Sequence, residues 1–335
     1  MRRFLSAVLA AALLALVGAS AMGAPREIVV YSPFPDEQIQ DLARPFTAKT
    51  GIRVTNMVIS SGEILARIKA ERNNPQADFW LSVRALYLKE AVESTPPLIE
   101  RYKPANLEGV AEAYKFPGSD YLVGVGMYPL VFFYNTTAMK NLKLEPPKNW
   151  ADLLDPKWKD RIVMPHPATS GTAYSAITTI LEMSKTEDEG WDFVAKLSRN
   201  ISQFTRSGRA PQNLVARGEY PLGIGFFDAV YQLRDEGYPI EFVFPSPIYA
   251  DPWCAAVVAG AKNPEGAKAF YDYLLTKEAQ QILTKYGNYS VRVDVPAPKG
   301  GIPLSQMNVL DSDWIWASVH KNRILDKFQA VTQAE

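Results

Sequence analysis

Apolar runs and segments of helical period alternate along the first third of the chain. Between the first two runs, Ile39, Leu42 and Phe46 recur at the three- and four-residue spacing of a buried helix face. Gly51 then stands where a glycine commonly ends a helix. The runs that predict strands are residues 27–31, 52–59 and 77–81. Because strands and helices alternate within about 55 residues, this region predicts an α/β unit with parallel strands.

The alternation restarts in the middle of the chain and continues to a helical end. Residues 121–134 form extended, glycine-punctuated apolar segments, which favours a crossover between two structural units. Asn263 followed by Pro264 is typical of a helix start, since asparagine caps free N–H groups and proline fits the first helical position. The last 45 or so residues predict a helical tail. Further strands are predicted at residues 161–164, 220–226, 240–244 and 253–259.

We therefore predict an α/β protein of two lobes. Residues 24–125 plus 251–290 form the first lobe, and residues 126–250 plus 291–335 form the second lobe and the C-terminal helical tail. A chain of 335 residues is long enough for two lobes, and its 47% hydrophobic content is sufficient for a substantial core.

The first 23 residues have the order of features of a secretory signal peptide. Met1-Arg2-Arg3 is a short basic region, residues 4–18 are almost wholly apolar, and Ala19-Ser20-Ala21 offers an A-x-A cleavage site. The apolar run is short for a membrane anchor, which is the alternative interpretation. No cysteine stands directly after this apolar run, where a lipid would be attached. The sequence therefore predicts a freely diffusing protein that is exported to the periplasm through cleavage of residues 1–23.

Composition narrows the function classes. The 36 basic and 36 acidic residues balance, so the chain lacks the basic excess that is typical of nucleic-acid binding. Cys254 is the single cysteine, which excludes an internal disulfide, and its apolar neighbours predict a buried, inert thiol.

A serine-glycine pair follows an extended stretch and precedes a predicted helix at three places. The pairs are Ser61-Gly62, Ser170-Gly171 and Ser207-Gly208. A helix N-terminus offers free backbone N–H groups and a partial positive charge, a serine hydroxyl can donate to a ligand oxygen, and glycine permits close approach. Serine is also a common helix cap, so each pair alone has a structural interpretation. Three such pairs in one chain, distributed over both predicted lobes, favour an anion-binding site.

Residues 148–173, around Asp155-Pro156 and the second serine-glycine pair, resemble the type 2 periplasmic solute-binding proteins of ABC importers. The resemblance is to the branch that contains binders of ferric iron, sugar phosphates, phosphonates and polyamines, and it covers nearly all of the chain after residue 23. Further segments that carry it are residues 30–32, 134–136, 207–219, 260–265 and 274–280.

This resemblance implies a fold and a mechanism. The fold has two lobes, each a mixed, mainly parallel sheet flanked by helices, joined by two extended hinge crossovers. A ligand in the cleft closes the hinge, and the closed form is recognised by an inner-membrane ABC permease. The expected protein is a monomer without a cofactor, and the alternative partner is a membrane sensor.

One departure from the family bears on the ligand. Iron-binding members carry two adjacent tyrosines, whose phenolates ligate Fe³⁺, where this chain has Phe226-Phe227. Phenylalanine has no oxygen to ligate a hard cation. The resemblance therefore implies a small anionic solute and leaves ferric iron as the alternative. Among other solutes, a sugar phosphate, a phosphonate, another organic anion and a polyamine stay open.

Other residues are candidates for ligand binding because of their position in the predicted strands and helices. Ser32 and Ser82 end the first and third predicted strands, where a cleft is expected. Phe227 is expected either to stack on the ligand or to pack in the core, and Asp228 either to bind the ligand or to cap a helix. The predicted ligand-binding residues are Ser32, Ser61, Gly62, Ser82, Ser170, Gly171, Thr172, Ser207, Gly208, Arg209, Phe227, Asp228 and Trp253.

A secreted hydrolase is the enzymatic alternative. The chain has no G-x-S-x-G, HExxH, P-loop or G-x-G-x-x-G motif. Two histidines and one cysteine leave few groups for nucleophilic or metal catalysis. The sequence therefore predicts a binding protein and no enzyme.

Overall fold

The computed structural model describes residues 27–115 and 123–333. The predicted signal peptide, residues 1–23, lies outside these ranges. The described strands are β1 Glu27–Ser32, β2 Arg53–Val58, β3 Phe79–Arg84, β4 Gly124–Asn135, β5 Ile162–Pro165, β6 Ile201–Thr205, β7 Leu222–Phe226, β8 Ile240–Val243, β9 Ala250–Val257 and β10 Tyr289–Ser290. The described α-helices are α1 Asp36–Thr50, α2 Ser61–Glu71, α3 Ala85–Glu93, α4 Thr136–Leu142, α5 Gly171–Met183, α6 Glu187–Ser198, α7 Ala210–Ala216, α8 Phe227–Asp235, α9 Pro264–Leu274, α10 Lys277–Lys285, α11 Trp314–Val319 and α12 Lys321–Thr332.

Two mixed sheets share one long strand. The first sheet has the order β2-β1-β3-β9-β4-β10, and the second has the order β8-β4-β7-β5-β6. The strands around β1 and β5 are parallel, while the neighbours of β4 are antiparallel. The prediction of mixed α/β sheets flanked by helices is confirmed. We call the parts built on the first and second sheets the first and second lobes.

The shared strand β4 is one of two connections between the lobes. Its first half pairs with β9 up to the pair of Pro129 and Ala250, and its second half pairs with β7 from Leu130 onward. At the junction, the Leu130 N–H donates to the Tyr249 carbonyl over 2.7 Å. The first crossover therefore lies at Pro129–Leu130, a few residues beyond the predicted boundary at residue 125. The return crossover leads into β9.

The apolar residues form cores on both sides of each sheet. All of β4 is buried except Tyr134, which is half-buried, and this explains why its sequence reads as a continuous apolar run. Aromatic packing in the first lobe joins Phe79 of β3 to Phe270 of α9, with ring centroids 5.4 Å apart in an edge-to-face arrangement. None of the helices in the described ranges is long and apolar enough to cross a membrane.

The C-terminal segment runs against both lobes. The Val293 N–H donates to Gly109 of the first lobe, and the Leu310 N–H donates to Ile248 in the return crossover. Helix α11 then packs against α3 of the first lobe, and α12 packs against α6 of the second. The sequence predicts that residues 291–335 belong to the second lobe, and the hydrogen bonds and helix packing of this segment are divided between the two lobes.

Cys254 is predicted to react with thiol reagents only when the protein unfolds. Its side chain is buried in β9, and burial raises the pKa of the thiol because a thiolate there is desolvated. We expect no labelling of the native protein by an aromatic disulfide reagent at mildly alkaline pH, and a single adduct by mass spectrometry in urea. Rapid labelling without denaturant would contradict the buried position.

Candidate functional site

A cavity of about 360 Å³ lies between the lobes. The first lobe lines it with the turn after β1, the turn that begins α2, and Ser82 of β3. The second lobe lines it with the start of α5, the turn before α7 and the start of α8. The turns after β1, β2, β5, β6 and β7 all leave the carboxyl ends of their strands, the edge at which α/β sheets commonly bind ligands. The volume is suited to a small molecule.

The N-terminus of α5 supplies the clearest donor group. Ser170 is its N-cap residue, with an extended backbone, yet its side chain makes no capping hydrogen bond. Ser170 is buried and lines the cavity with Gly171 and Thr172. The hydroxyl of Ser170 and the first N–H groups of a 13-residue helix therefore face the same space. This arrangement favours an anion, because the helix end carries a partial positive charge.

The turn Ser207-Gly208 meets this helix end directly. A Cβ atom placed on Gly208 would lie 2.9 Å from Ser170 Oγ and 3.1 Å from Thr172 Oγ1. A side chain at position 208 would contact both hydroxyls, so glycine leaves this space open. Gln212 stabilises the turn when its amide nitrogen faces the carbonyl oxygens of Gly208 and Arg209, at 3.1 and 3.2 Å. Two of the three predicted serine-glycine pairs thus form one polar surface.

The third serine-glycine pair faces this surface from the first lobe. Ser61 is the first residue of α2 and lines the cavity, and Gly62 is the second residue of that helix. The N-cap is Ser60, whose Oγ donates to Glu63 Oε2 over 2.8 Å. Ser60 and Glu63 have the three-residue spacing of a capping box, but the two side chains contact each other and no backbone N–H.

The second-lobe turn differs from the prediction in one respect. Helix α7 begins at Ala210 and has seven residues, and Arg209 is its N-cap. Ser207-Gly208 therefore precedes a short helix as a turn and does not cap it. Its contribution to the site comes from the turn's backbone and the Ser207 hydroxyl, which accepts a hydrogen bond from the Arg209 N–H at 3.3 Å.

Ser82 reaches the cavity through an unusual backbone conformation. Its φ is +71°, and the pairing of β3 with β9 shifts register between Leu81 and Val83. A non-glycine residue with positive φ costs about 1 kcal/mol or more and is often found at functional sites. Ser82 is buried and lines the cavity.

An ion pair forms one wall of the cavity. Arg209 Nη2 lies 2.8 Å from Asp228 Oδ2, and the side chains are 35% and 8% exposed. Asp228 also lies in the first turn of α8, where a carboxylate is favourable. The pair leaves a wall without net charge, while the remaining N–H groups of the guanidinium stay available as donors.

Three predicted site residues do not line the cavity. Ser32 is buried, and its hydroxyl donates to Asn56 Oδ1 at 2.7 Å and accepts from the Phe34 N–H at 3.3 Å, so it shapes the turn after β1. Phe227 begins α8 facing the core, with its ring centroid 4.9 Å from that of Phe242. Trp253 is buried behind the wall. In this structure, local packing already occupies each of these three side chains.

Trp253 nevertheless supports the site from behind. Its ring is stacked on Tyr128 with centroids 5.9 Å apart, and it lies 5.2 Å from Phe34. Both partners line the cavity. Residues of the cavity wall that were not predicted from the sequence include Phe34, Glu63, Tyr128, Gln212 and Phe226. Only Glu63 and Gln212 carried a signal, through the capping-box spacing and the family-like segment 207–219.

The carboxylates of the cavity already have partners. Asp228 pairs with Arg209, and Glu63 accepts from Ser60. Among residues 27–115 and 123–333, no group of three or more histidine, cysteine, aspartate or glutamate side chains is placed to hold a metal ion.

A larger cavity, of about 610 Å³, adjoins the first. The two share the walls formed by Ser60, Glu63, residues 169–171 and residues 207–208. We call it the second chamber. It extends between α3 and α5 toward the start of α12, and Lys321 and Arg206 line it.

Known proteins resemble the chain over most of its length. Residues 88–315 match the family described as bacterial extracellular solute-binding protein. A protein of Haemophilus influenzae, described as uncharacterized, is 32% identical over 84% of this chain and 82% of its own. A putative 2-aminoethylphosphonate-binding periplasmic protein of Salmonella typhimurium is 25% identical over 75% of this chain and 73% of its own.

A solved structure resembles the fold closely. The periplasmic binding protein AfuA of Actinobacillus pleuropneumoniae, with exogenous fructose-6-phosphate bound, is 29% identical and superposes with a TM-score of 0.84. The match covers 92% of this chain and 99% of that chain.

We predict that removing Arg209 destabilises the protein more than removing the charge of Asp228 does. Arg209→Met leaves a buried carboxylate without its partner, so we expect the free energy of unfolding to fall by about 1–3 kcal/mol. Asp228→Asn keeps an acceptor beside a guanidinium that is 35% exposed to water, so we expect a loss below about 1 kcal/mol. Urea unfolding measures both changes.

The double variant is the control for this pair. Arg209→Met with Asp228→Asn removes both charges, so its loss is expected to be smaller than the sum of the single losses. Equal single losses that add in the double variant would show that the two side chains are energetically independent.

Proposed function

The chain belongs to the bacterial extracellular solute-binding protein family, and we propose that it captures a small organic anion with a phosphate or phosphonate group between its lobes. One observation carries the proposal. The uncapped N-terminus of α5 and the turn Ser207-Gly208 meet so closely that the hydroxyls of Ser170 and Thr172 lie within about 3 Å of the position of a Gly208 Cβ. This gives a compact group of hydrogen-bond donors on the cavity wall.

The chemistry of these donors fits a tetrahedral oxyanion. Backbone N–H groups and hydroxyls donate from several directions, and a helix N-terminus adds a favourable field without a mobile countercharge. The Arg209–Asp228 pair is neutral overall and offers further donors and acceptors for hydroxyl or amine groups on the same ligand. Two relatives agree with this class of ligand, since one carries the description 2-aminoethylphosphonate-binding and the other contains fructose-6-phosphate.

Ferric iron fits the described site less well. Fe³⁺ favours several oxygen ligands. At the position of the iron-binding tyrosine pair, Phe226 lines the cavity without an oxygen and Phe227 packs in the core. The two carboxylates on the cavity wall, Asp228 and Glu63, are already hydrogen-bonded to Arg209 and Ser60. Iron would compete with Arg209 and Ser60 for these two carboxylates.

The proposed biological role is delivery of this solute to an ABC permease. Both lobes line the cavity, so a ligand makes its full set of contacts only when they are closed, and closure is the signal that a membrane partner can read. We further propose export through cleavage of residues 1–23 and action as a monomer without a cofactor. Among the described residues that line the two cavities there is no histidine base and no cysteine nucleophile, and we propose that the protein binds its solute without catalysis.

We predict that Ser170→Ala and Ser207→Ala each weaken binding of the preferred phosphorylated or phosphonate ligand by about 10- to 100-fold. The reason is that each removes a hydrogen bond to a charged group, worth about 1.5–3 kcal/mol. Thermal-shift screening with fructose 6-phosphate, 2-aminoethylphosphonate, inorganic phosphate, spermidine and Fe³⁺ with citrate identifies the ligand. A ligand at 100 times its dissociation constant stabilises the protein by about 2.7 kcal/mol. Isothermal titration then gives the affinities.

Ser202→Ala is the matched control, since Ser202 is exposed on β6, the strand that leads to the Ser207-Gly208 turn. It is expected to leave affinity unchanged. The Ser170 variant should also keep the melting temperature of the ligand-free protein, because the hydroxyl makes no capping hydrogen bond. Stabilisation by Fe³⁺ or spermidine alone, or unchanged affinity in both serine variants, would refute the proposed site.

A further inference from the structure

The walls of the second chamber carry two cationic side chains, Lys321 and Arg206, and one carboxylate, Glu63. Lys321 is the first residue of α12, and Arg206 precedes the Ser207-Gly208 turn; both line the chamber. Within the part of the chain that the structure describes, neither forms an ion pair with a carboxylate. The carboxylate that acts most directly on Lys321 is Glu90, and Glu90 is hydrogen-bonded to Lys69. Arg206 is exposed to the chamber, and its carbonyl accepts from Thr169 Oγ1 at 2.9 Å.

Lys321 is partly buried. Its ammonium lies 4.9 Å from the centre of the Tyr87 ring, and desolvation by burial lowers its pKa. A desolvated cation without a carboxylate partner is unfavourable unless an anion compensates it. The aromatic ring supplies only part of this compensation. The place of Lys321 therefore calls for a negative group that comes from outside the chain.

The second chamber is continuous with the proposed phosphate site. Ser170, Gly171, Ser207 and Gly208 belong to the walls of both cavities. Tyr174 of the second chamber lies one turn along α5 from Ser170, which corresponds to about 6 Å of helix rise. Its hydroxyl is already used, because it donates to the Ala317 carbonyl over 2.5 Å. A molecule of sugar size bound at Ser170 has room to extend toward Lys321.

We propose that the solute is anionic at both ends, with its second anionic group bound in the second chamber by Lys321 and Arg206. This inference rests on the proposed function, because it places the first phosphate or phosphonate at Ser170 and Ser207. The class of ligand is then a small bisphosphate or a phosphonate that carries a carboxylate, and an amine at the distal end is disfavoured by repulsion from the two cations.

Two pairs of ligands test the inference by isothermal titration. Fructose 1,6-bisphosphate and fructose 6-phosphate differ by one terminal phosphate, and 3-phosphonopropanoate and 2-aminoethylphosphonate have the same phosphonate chain with opposite distal charges. We expect the wild-type protein to bind the doubly anionic member of at least one pair 10-fold or more tightly, which corresponds to about 1.4 kcal/mol.

Lys321→Met is the decisive variant. Methionine keeps an apolar stem beside Tyr87 but removes the charge. We expect it to reduce the preference for the doubly anionic ligand to about twofold or less, leave the affinity for the singly anionic partner within about twofold, and raise the melting temperature of the ligand-free protein. Lys321→Arg retains a cation and should keep most of the preference.

The outcomes separate this inference from the proposed function. If both ligands of a pair bind, Ser170→Ala weakens both, and neither is preferred, the proposed function stands and the second anionic subsite is wrong. An equal loss for both ligands in Lys321→Met would likewise overturn the subsite, because it would reflect a general structural effect. If none of the four ligands binds the wild-type protein, both proposals fail.

Discussion

The arrangement of the site depends on strand β4, which belongs to both sheets. Its first half pairs with β9 and its second half with β7 and β8, so one buried strand positions the edges of both lobes. A polar cavity results where the turns at those edges face each other. In the proposed hinge closure, the backbone change would fall at Pro129–Leu130 and at the return segment before β9, where few strand residues connect the lobes. A substitution that repacks β4 would disturb both walls of the cavity together.

In the proposed site, dipoles and hydroxyls are the main groups that would stabilise an anion. The Arg209–Asp228 pair removes most of the net charge from its wall, and the start of α5 contributes N–H groups that no side chain caps. Such donors have fixed directions, and their field is favourable only for a ligand of matching shape. The unpaired cations Lys321 and Arg206 lie farther along, in the second chamber. The proposed specificity therefore has two parts: hydrogen-bond geometry at one end of the ligand and charge at the other.

Sequence patterns predicted the alternating α/β architecture and brought Ser61, Ser170 and Ser207 to attention, because the transition from strand to helix is a local signal. They failed where a side chain's direction depends on distant packing. The Ser32 hydroxyl donates a hydrogen bond to Asn56, which lies on a neighbouring strand. Phe227 faces the core, while the preceding Phe226 lines the cavity. Lys321 carried no local signal, since its place follows from the course of the whole C-terminal segment.

The central claim is that a phosphate or phosphonate group binds where the start of α5 meets the Ser207-Gly208 turn. The most direct test is a crystal structure of the protein with the ligand that stabilises it most. The account predicts the phosphorus atom beside Gly208, with its oxygens accepting hydrogen bonds from the Ser170 hydroxyl and the first N–H groups of α5. A ligand bound outside the cavity between the lobes, or one whose anionic groups contact neither Ser170 nor Ser207, would contradict it.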